Sequence, residues 1–81
     1  MLSELETVQK VVGAKQTKRA LNAGYAKKVF LAEDADPRVT QPLEQLAEQS
    51  EVSVEWIATM KELGAACGIA VGSAVAAICN G

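Results

Sequence analysis

The residues with the clearest capacity to bind a ligand lie in one short segment after Gly13. Lys15, Gln16 and Arg19 occupy positions i, i+1 and i+4, which share one side of an α-helix. The segment is predicted to form a first helical turn, where unpaired amides and the helix dipole attract an anion. Lys15 and Arg19 can pair with phosphate or guanine edges, and Gln16 can hydrogen-bond an exposed base edge. Gly13 would let a nucleic-acid backbone approach closely.

The distribution of charge sets this segment apart from the rest of the chain. The formal net charge is −2, but no acidic residue lies between Glu6 and Glu33. That window carries +6, and the remaining two basic and ten acidic residues carry −8. Screening confines each charge to about 8–10 Å at physiological salt, so a polyanion responds to the local field. A solvated basic face has the same pattern, and both interpretations stay open. The six basic residues of the window are Lys10, Lys15, Lys18, Arg19, Lys27 and Lys28.

The two cysteines do not suggest a metal or catalytic site. Cys67 and Cys79 lie inside apolar runs, and the chain has no histidine. Two cysteines alone cannot complete a tetrahedral zinc site, and neither has a base or cation beside it in sequence. We expect buried free thiols, with a disulfide as the alternative.

Other catalytic patterns are also weak. Glu33, Asp34 and Asp36 follow a predicted strand, a place where α/β enzymes often carry catalytic groups. The structural explanation is stronger, because Asp36 is accounted for as a helix N-cap and the other two can lie in the adjoining loop. The glycine segment at Gly13 lacks the Gly-Lys-Ser/Thr end of a nucleoside-triphosphate site. We therefore expect no enzymatic activity and no cofactor or metal.

The first third of the chain is predicted to position the basic segment with two helices and a short strand. Residues 3–6 fit a capping box that opens a helix ending near Lys10. Val11 and Val12 can form a very short strand. The next helix begins at residue 14 or 15 and ends at Gly24. Its buried face has the spacing i, i+3, i+4: Thr17, Ala20 and Leu21.

The remaining segments alternate between strands and helices. Residues 29–32 are continuously apolar, which is typical of a central strand covered on both faces. Asp36 and Pro37 open a helix that runs to about Gln49. A second capping box at residues 59–62 opens a helix that Gly68 can close, and residues 75–79 form a last strand. The apolar stripe of the longer helix is Val39, Leu43, Leu46 and Ala47, and a half-buried strand alternates Val52, Val54 and Trp56 with Ser53 and Glu55.

This alternation predicts an α/β layered domain. We find no linker or repeat, so residues 1–81 are expected to form one domain. Residues 63–81 carry no charge and contain a GxxxGxxxG series, a pattern found in transmembrane helices. The stretch is mostly Ala and Gly, lacks basic or aromatic flanks, and begins at a capping box. We therefore expect a helix, a loop and a strand there. The acidic N-terminus lacks the apolar core of a secretion signal, which favours a cytoplasmic location.

Three segments of the chain carry a resemblance to a known family. Residues 12–21, VGAKQTKRAL, resemble the RNA-contacting segment of the kink-turn-binding ribosomal proteins, the L7Ae/L30e superfamily. Residues 31–37, LAEDADP, resemble its strand-to-helix signature. Residues 60–64 and 66–69 resemble its lysine–Leu–Gly motif and the loop beyond. The similarity covers nearly the whole chain in order, and it is greatest to the short bacterial branch.

The resemblance implies a three-layer α/β/α sandwich around a mixed four-stranded sheet. It also implies binding to the kink-turn, an RNA internal loop bent sharply at tandem sheared G·A pairs. Positions 15 and 16 carry Asn and Glu in archaeal members, and the bacterial branch shares the change seen here. The basic helix start would meet the G·A pairs, residues 69–72 would cover unstacked nucleotides, and Lys28 would be an outlying phosphate contact. The implied RNA site is Gly13, Ala14, Lys15, Gln16, Arg19, Lys28, Glu33, Ile69, Ala70, Val71 and Gly72.

The expected function is therefore non-catalytic binding of an RNA that contains a kink-turn. Ribosomal RNA, a riboswitch and another transcript with a kink-turn all stay open as the partner. We expect a monomer that does not enter a membrane. The alternative is a protein-interaction adaptor on the same fold, because the superfamily includes members that bind proteins.

Overall fold

Strands and helices alternate along residues 9–79, the part of the chain that the structure, a computed structural model, describes. The elements are β1 (Lys10–Val12), α1 (Ala14–Ala23), β2 (Ala26–Ala32), α2 (Pro37–Gln49), β3 (Ser53–Ile57), α3 (Met60–Ala66) and β4 (Val75–Cys79). The capping box predicted at residues 3–6 lies outside the described residues. The expectation that its helix reaches Lys10 is wrong, because Lys10 pairs with Ile78 of β4 as a strand residue.

The strands form one mixed four-stranded sheet in the order β1-β4-β2-β3. Strand β4 pairs antiparallel with both β1 and β2, whereas β2 and β3 are parallel and are connected through α2. Val29, Phe30 and Leu31 of β2 are fully buried. The predicted central strand covered on both faces is confirmed, because β2 lies between two strands and under helices on each side.

Helices cover both faces of this sheet. Helices α1 and α2 pack on one face, where Leu21 and Leu43 join a cluster with Leu31 of β2. Helix α3 packs on the other face, where Leu63 joins a cluster with Phe30. The described residues therefore form the expected three-layer α/β/α sandwich with a mixed sheet.

The local signals that begin and end the helices are confirmed. Gly24 ends α1 in the left-handed region, with φ of 84°, a conformation that glycine adopts without steric cost. The Asp36 carboxylate accepts the Arg38 backbone N–H at 2.9 Å at the start of α2. The Thr59 hydroxyl accepts the Glu62 backbone N–H at 3.0 Å at the start of α3.

Two apolar side chains predicted to face the core are more exposed than their spacing suggested. Trp56 is 41% exposed, while its neighbour Ile57 is buried on the opposite face. The reason is that β3 is an edge strand with a neighbouring strand on one side only. Val39 is 36% exposed because it lines an open groove between α1 and α2, whereas Leu43 one turn later is buried.

The uncharged C-terminal segment has the expected mixed structure. Residues 63–79 contain the end of α3, a loop and strand β4. Across residues 9–79, no helix is both long enough and apolar enough to cross a lipid bilayer. Both cysteines are free thiols, as expected, with Cys67 buried and Cys79 half-buried.

Candidate nucleic-acid interface

The sheet brings most of the predicted site residues to one of its ends. Strand β4 begins where its antiparallel neighbours β1 and β2 finish. The Gly13 backbone N–H donates to the Val75 carbonyl at 2.9 Å, and the Ala32 N–H donates to the Ala74 carbonyl at 2.9 Å. The start of α1 and the loop that precedes β4 therefore lie at the same end of the sheet.

Gly13 sets the direction in which α1 leaves this end of the sheet. Its φ of 100° and ψ of 156° are strained for any residue with a side chain. No side chain within residues 9–79 caps the helix here, so its first-turn amides are open to a ligand. Lys15, Gln16 and Arg19 are exposed, as expected, while Thr17 is fully buried beneath them.

The loop of residues 69–72 is fixed against α3 by two glycines. The Ile69 N–H donates to the Gly64 carbonyl at 3.1 Å, and a methyl group at Gly64 would collide with the carbonyl oxygen of Val71. A methyl group at Gly72 would lie only 3.1 Å from the Met60 Cβ atom. The loop therefore packs on α3 through its backbone and turns side chains outward. Val71 is 71% exposed and Ile69 is 37% exposed.

The carboxylates near this end of the sheet differ in their roles. The Asp34 carboxylate accepts the Met60 backbone N–H at 2.7 Å and so fixes the start of α3. Asp36 pairs with Arg38 at 2.8 Å, and this hydrogen-bonded guanidinium holds the pKa of the Asp36 carboxyl below its usual value. Glu33 is exposed, and its backbone N–H donates to the Ile57 carbonyl at 2.7 Å. Asp34 and Asp36 thus serve as helix caps.

Lys28 is not brought to this end of the sheet. It lies five residues before Glu33, which corresponds to about 16 Å along an extended strand. Its ammonium pairs with Glu55 at 2.8 Å and lies 5.2 Å from the centre of the Phe30 ring. Lys28 therefore stands apart from the other predicted contacts and already has an ionic partner.

Sequence reasoning missed Met60 as part of the exposed apolar surface. Met60 is 36% exposed and lies next to Gly72 of the loop. Its position in the capping box at the start of α3 predicted a structural role only. The motif at residues 60–64 was the one signal that grouped it with the site.

The two thiols are not suited to nucleophilic chemistry. Burial raises the pKa of the Cys67 thiol, and Lys10 opposes this only in part. Burial also raises the pKa of the Cys79 thiol. Because the thiolate is the reactive species, a raised pKa lowers reactivity at neutral pH.

The sequence of this chain is similar to a known protein family and to several of its bacterial members. The sequence profile described as "Ribosomal protein L7Ae/L30e/S12e/Gadd45 family" matches residues 3–81. RNA-binding protein GWCH70_0105 of Geobacillus sp. (strain WCH70) is 46% identical over 74 residues, which cover 91% of this chain and 90% of the relative. RNA-binding protein YbxF of Geobacillus stearothermophilus is 46% identical over 68 residues, 84% of this chain and 83% of YbxF.

A solved structure shares the whole fold. The 15.5kD RNA binding protein of Giardia lamblia superimposes with a TM-score of 0.85 at 30% sequence identity. The match covers 99% of this chain and 66% of the Giardia chain. Because the family profile matches residues 3–81 and a relative is 46% identical over 91% of this chain, the chain belongs to the ribosomal protein L7Ae/L30e/S12e/Gadd45 family.

Proposed function

We propose that this chain is a non-catalytic RNA-binding protein that recognises the kink-turn and stabilises its bent form. One observation carries the proposal. The Gly13 N–H donates to the carbonyl of Val75, the first residue of the strand that follows the apolar loop, so the basic start of α1 and this loop lie at the same end of the sheet. This arrangement offers one surface for phosphates and base edges and, beside it, another surface for an unstacked base.

The polar half of the proposed surface is the start of α1, residues 13–19, and it would bind the G·A pairs and the phosphates around them. Open amides of the first turn of α1 attract phosphate oxygens, and Lys15 and Arg19 add positive charge. Gln16 carries a donor and an acceptor for a base edge in the opened groove. Gly13 and Ala14 have no bulky side chain, so the RNA backbone can approach the helix start closely. Contacts from Glu33 and Lys28 remain predictions, with Lys28 in an outlying position.

The apolar half would cover nucleotides that leave the stack. Ile69 and Val71 project from a loop whose backbone packs on α3, so their surface is presented in a fixed position. Apolar side chains can cover a base face without reading its sequence, and recognition would depend mainly on RNA shape. The loop backbone at Ala70 and Gly72 would complete this contact.

The relatives support an RNA partner. GWCH70_0105, YbxF and the Giardia protein are all named as RNA-binding proteins. We extend this activity to the present chain, acting as a monomer in the cytoplasm and as one domain over residues 1–81. Ribosomal RNA and riboswitches are candidate sources of the kink-turn.

A calorimetric titration tests the proposal. One RNA contains a kink-turn, and the matched control replaces its sheared G·A pairs with Watson–Crick pairs. We expect strong binding to the first RNA and much weaker binding to the control, because a straight helix cannot contact both halves of the surface. Equal affinity for the two RNAs, or no binding to either, would refute kink-turn recognition.

A protein-interaction adaptor is the second candidate function. The observation in its favour is an open groove of about 410 Å³ between α1 and α2. The groove has an apolar floor formed by Val39, Pro42, Leu43 and Leu46 and a basic rim. Failure of the RNA titration would favour this candidate.

A further inference from the structure

The basic surface of α1 continues beyond the proposed kink-turn contacts. Lys18 and Asn22 follow Lys15 at i+3 and i+7, on the same exposed side of the helix. From Lys15 to Asn22 the helix advances by about 10 Å. These side chains, with Arg19 and Ala23, line a shallow open cavity of about 470 Å³.

The cations along this face have no acidic partner among the described residues. Lys28 and Arg38 each make an ion pair, with Glu55 and Asp36 respectively. Within residues 9–79, no carboxylate lies within ion-pair distance of Lys15, Lys18 or Arg19, and no acid lines the cavity. Their full positive charge is therefore available to an external anion.

The composition of this face indicates what kind of anion it fits. The centres of protein–protein interfaces are rich in aromatic and large apolar side chains. Among residues 9–79, by contrast, Ala23 is the one apolar residue that lines this cavity. Ammonium, guanidinium and amide groups are the usual donors to the phosphates and sugars of nucleic acids. The face is also continuous with the start of α1, since Lys15 and Arg19 belong to both.

We infer that the Lys15–Asn22 face of α1 binds the phosphate backbone of an RNA stem that continues from the kink-turn. This inference rests on the proposed function and adds a contact outside the bent motif. Lys18 is its distinguishing residue, because it is exposed, lines this cavity and is not among the residues proposed to bind the G·A pairs. The contact is independent of sequence and depends on stem length and salt.

The test compares RNAs that share one kink-turn and differ only in their stems. In the first RNA both stems end close to the motif, and in two others one stem or the other is extended by a helical turn. The RNA whose extended stem reaches the Lys15–Asn22 face is expected to bind about three- to tenfold more tightly than the short-stem RNA, with a steeper dependence on salt. The RNA with the other stem extended should bind like the short-stem RNA. Lys18→Gln should abolish that gain and reduce the salt slope by about 1. The same variant should bind the short-stem RNA like the unmodified protein.

Lys10→Gln is the matched control. Lys10 lies on β1 beside Cys67 and Gly68, so the control removes the same charge away from α1. It should retain the gain from the longer stem. If all stems bind with equal affinity and equal salt slope, or if Lys18→Gln weakens short and long RNAs equally, the stem contact is refuted while kink-turn binding stands. If none of the RNAs binds, both proposals are refuted.

Discussion

Arg19 is the single residue on which the proposed RNA contact depends most. It lies one turn after Lys15, is exposed, and has no acidic partner among the described residues. We predict that Arg19→Ala weakens kink-turn binding by about 1–3 kcal/mol, the range for a good base-edge contact. Alanine keeps the helix intact because it has the highest helix propensity. Calorimetric titration measures the affinity, and circular dichroism measures the fold.

Lys28→Ala provides the comparison for Arg19. Lys28 is paired with Glu55 and lies away from the start of α1 and the 69–72 loop. Its replacement should reduce affinity only slightly and mainly at low salt. If Arg19→Ala folds normally and binds like the unmodified protein, the assignment of the polar half to α1 is wrong.

Thr17 makes a second prediction at the residue scale, on stability. Thr17 is fully buried on the core-facing side of α1, and its hydroxyl oxygen has no hydrogen-bond partner within the described part of the chain. A buried unsatisfied polar group costs about 1–3 kcal/mol. Thr17→Val keeps the branched shape and removes the hydroxyl, so the free energy of unfolding should rise by about 1 kcal/mol. Urea denaturation measures the change.

Thr17→Ala separates the effect of the hydroxyl from that of the methyl group. It removes both groups and leaves a cavity, so it should destabilise the protein. If Thr17→Val also lowers the free energy of unfolding, the hydroxyl is hydrogen-bonded in solution.

At the scale of elements, the packing of the 69–72 loop on α3 determines whether the apolar surface exists. An added methyl group at Gly64 would overlap the backbone of Val71 and Gly72, which cannot rotate away as a side chain can. We predict that Gly64→Ala lowers the free energy of unfolding by about 1–3 kcal/mol through overpacking. It should also weaken RNA binding, because the loop must move. Thermal unfolding and titration measure the two effects.

Ala65→Ser is the control for this helix. Ala65 is exposed on α3 beside Gly64, so the substitution changes the same element without touching the loop. Both its stability and its RNA affinity should stay near those of the unmodified protein. If Gly64→Ala is destabilised but binds RNA with full affinity, the apolar loop does not contribute to the interface.

The elements whose signals are local could be predicted from the sequence. Gly24, the pair Asp36 and Pro37, and the box from Thr59 to Glu62 each carry a cap within a few residues, and all three are confirmed. Lys10 was assigned wrongly because its strand partner, Ile78, lies near the other end of the chain. No local pattern reports such a pairing.

The same limit applies to the candidate site. The spacing of Lys15, Gln16 and Arg19 predicted a shared exposed face without any structure. The hydrogen bond that joins Gly13 to Val75 depends on the sheet order β1-β4-β2-β3, which the residues alone did not predict. Only the family resemblance placed residues 69–72 in the site. Its three-layer sandwich is confirmed, while the RNA contacts remain predictions.

At the scale of the whole molecule, the charge distribution is uneven. The net charge of −2 combines a basic window of +6 with a remainder of −8. Acidic surfaces repel the phosphates of RNA, so one orientation of approach is favoured electrostatically. A plain duplex that meets only the basic face should bind weakly, and most of that affinity should disappear with added salt.

The two-part surface also predicts that the protein changes the shape of its RNA. In the proposed function the start of α1 binds the G·A pairs and the apolar loop covers unstacked nucleotides, so the bent form should be bound more tightly than a straight internal loop. The protein can shift the equilibrium by as much as its affinities for the two forms differ, and a shift from 1:99 to 99:1 needs about a 10⁴-fold difference.

We predict that energy transfer between dyes on the two stems rises to a plateau as protein is added without divalent cations. The Watson–Crick control RNA should show no rise, and Arg19→Ala should reach the same plateau only at higher concentration. Tight binding with unchanged energy transfer would show that the protein binds the RNA without bending it.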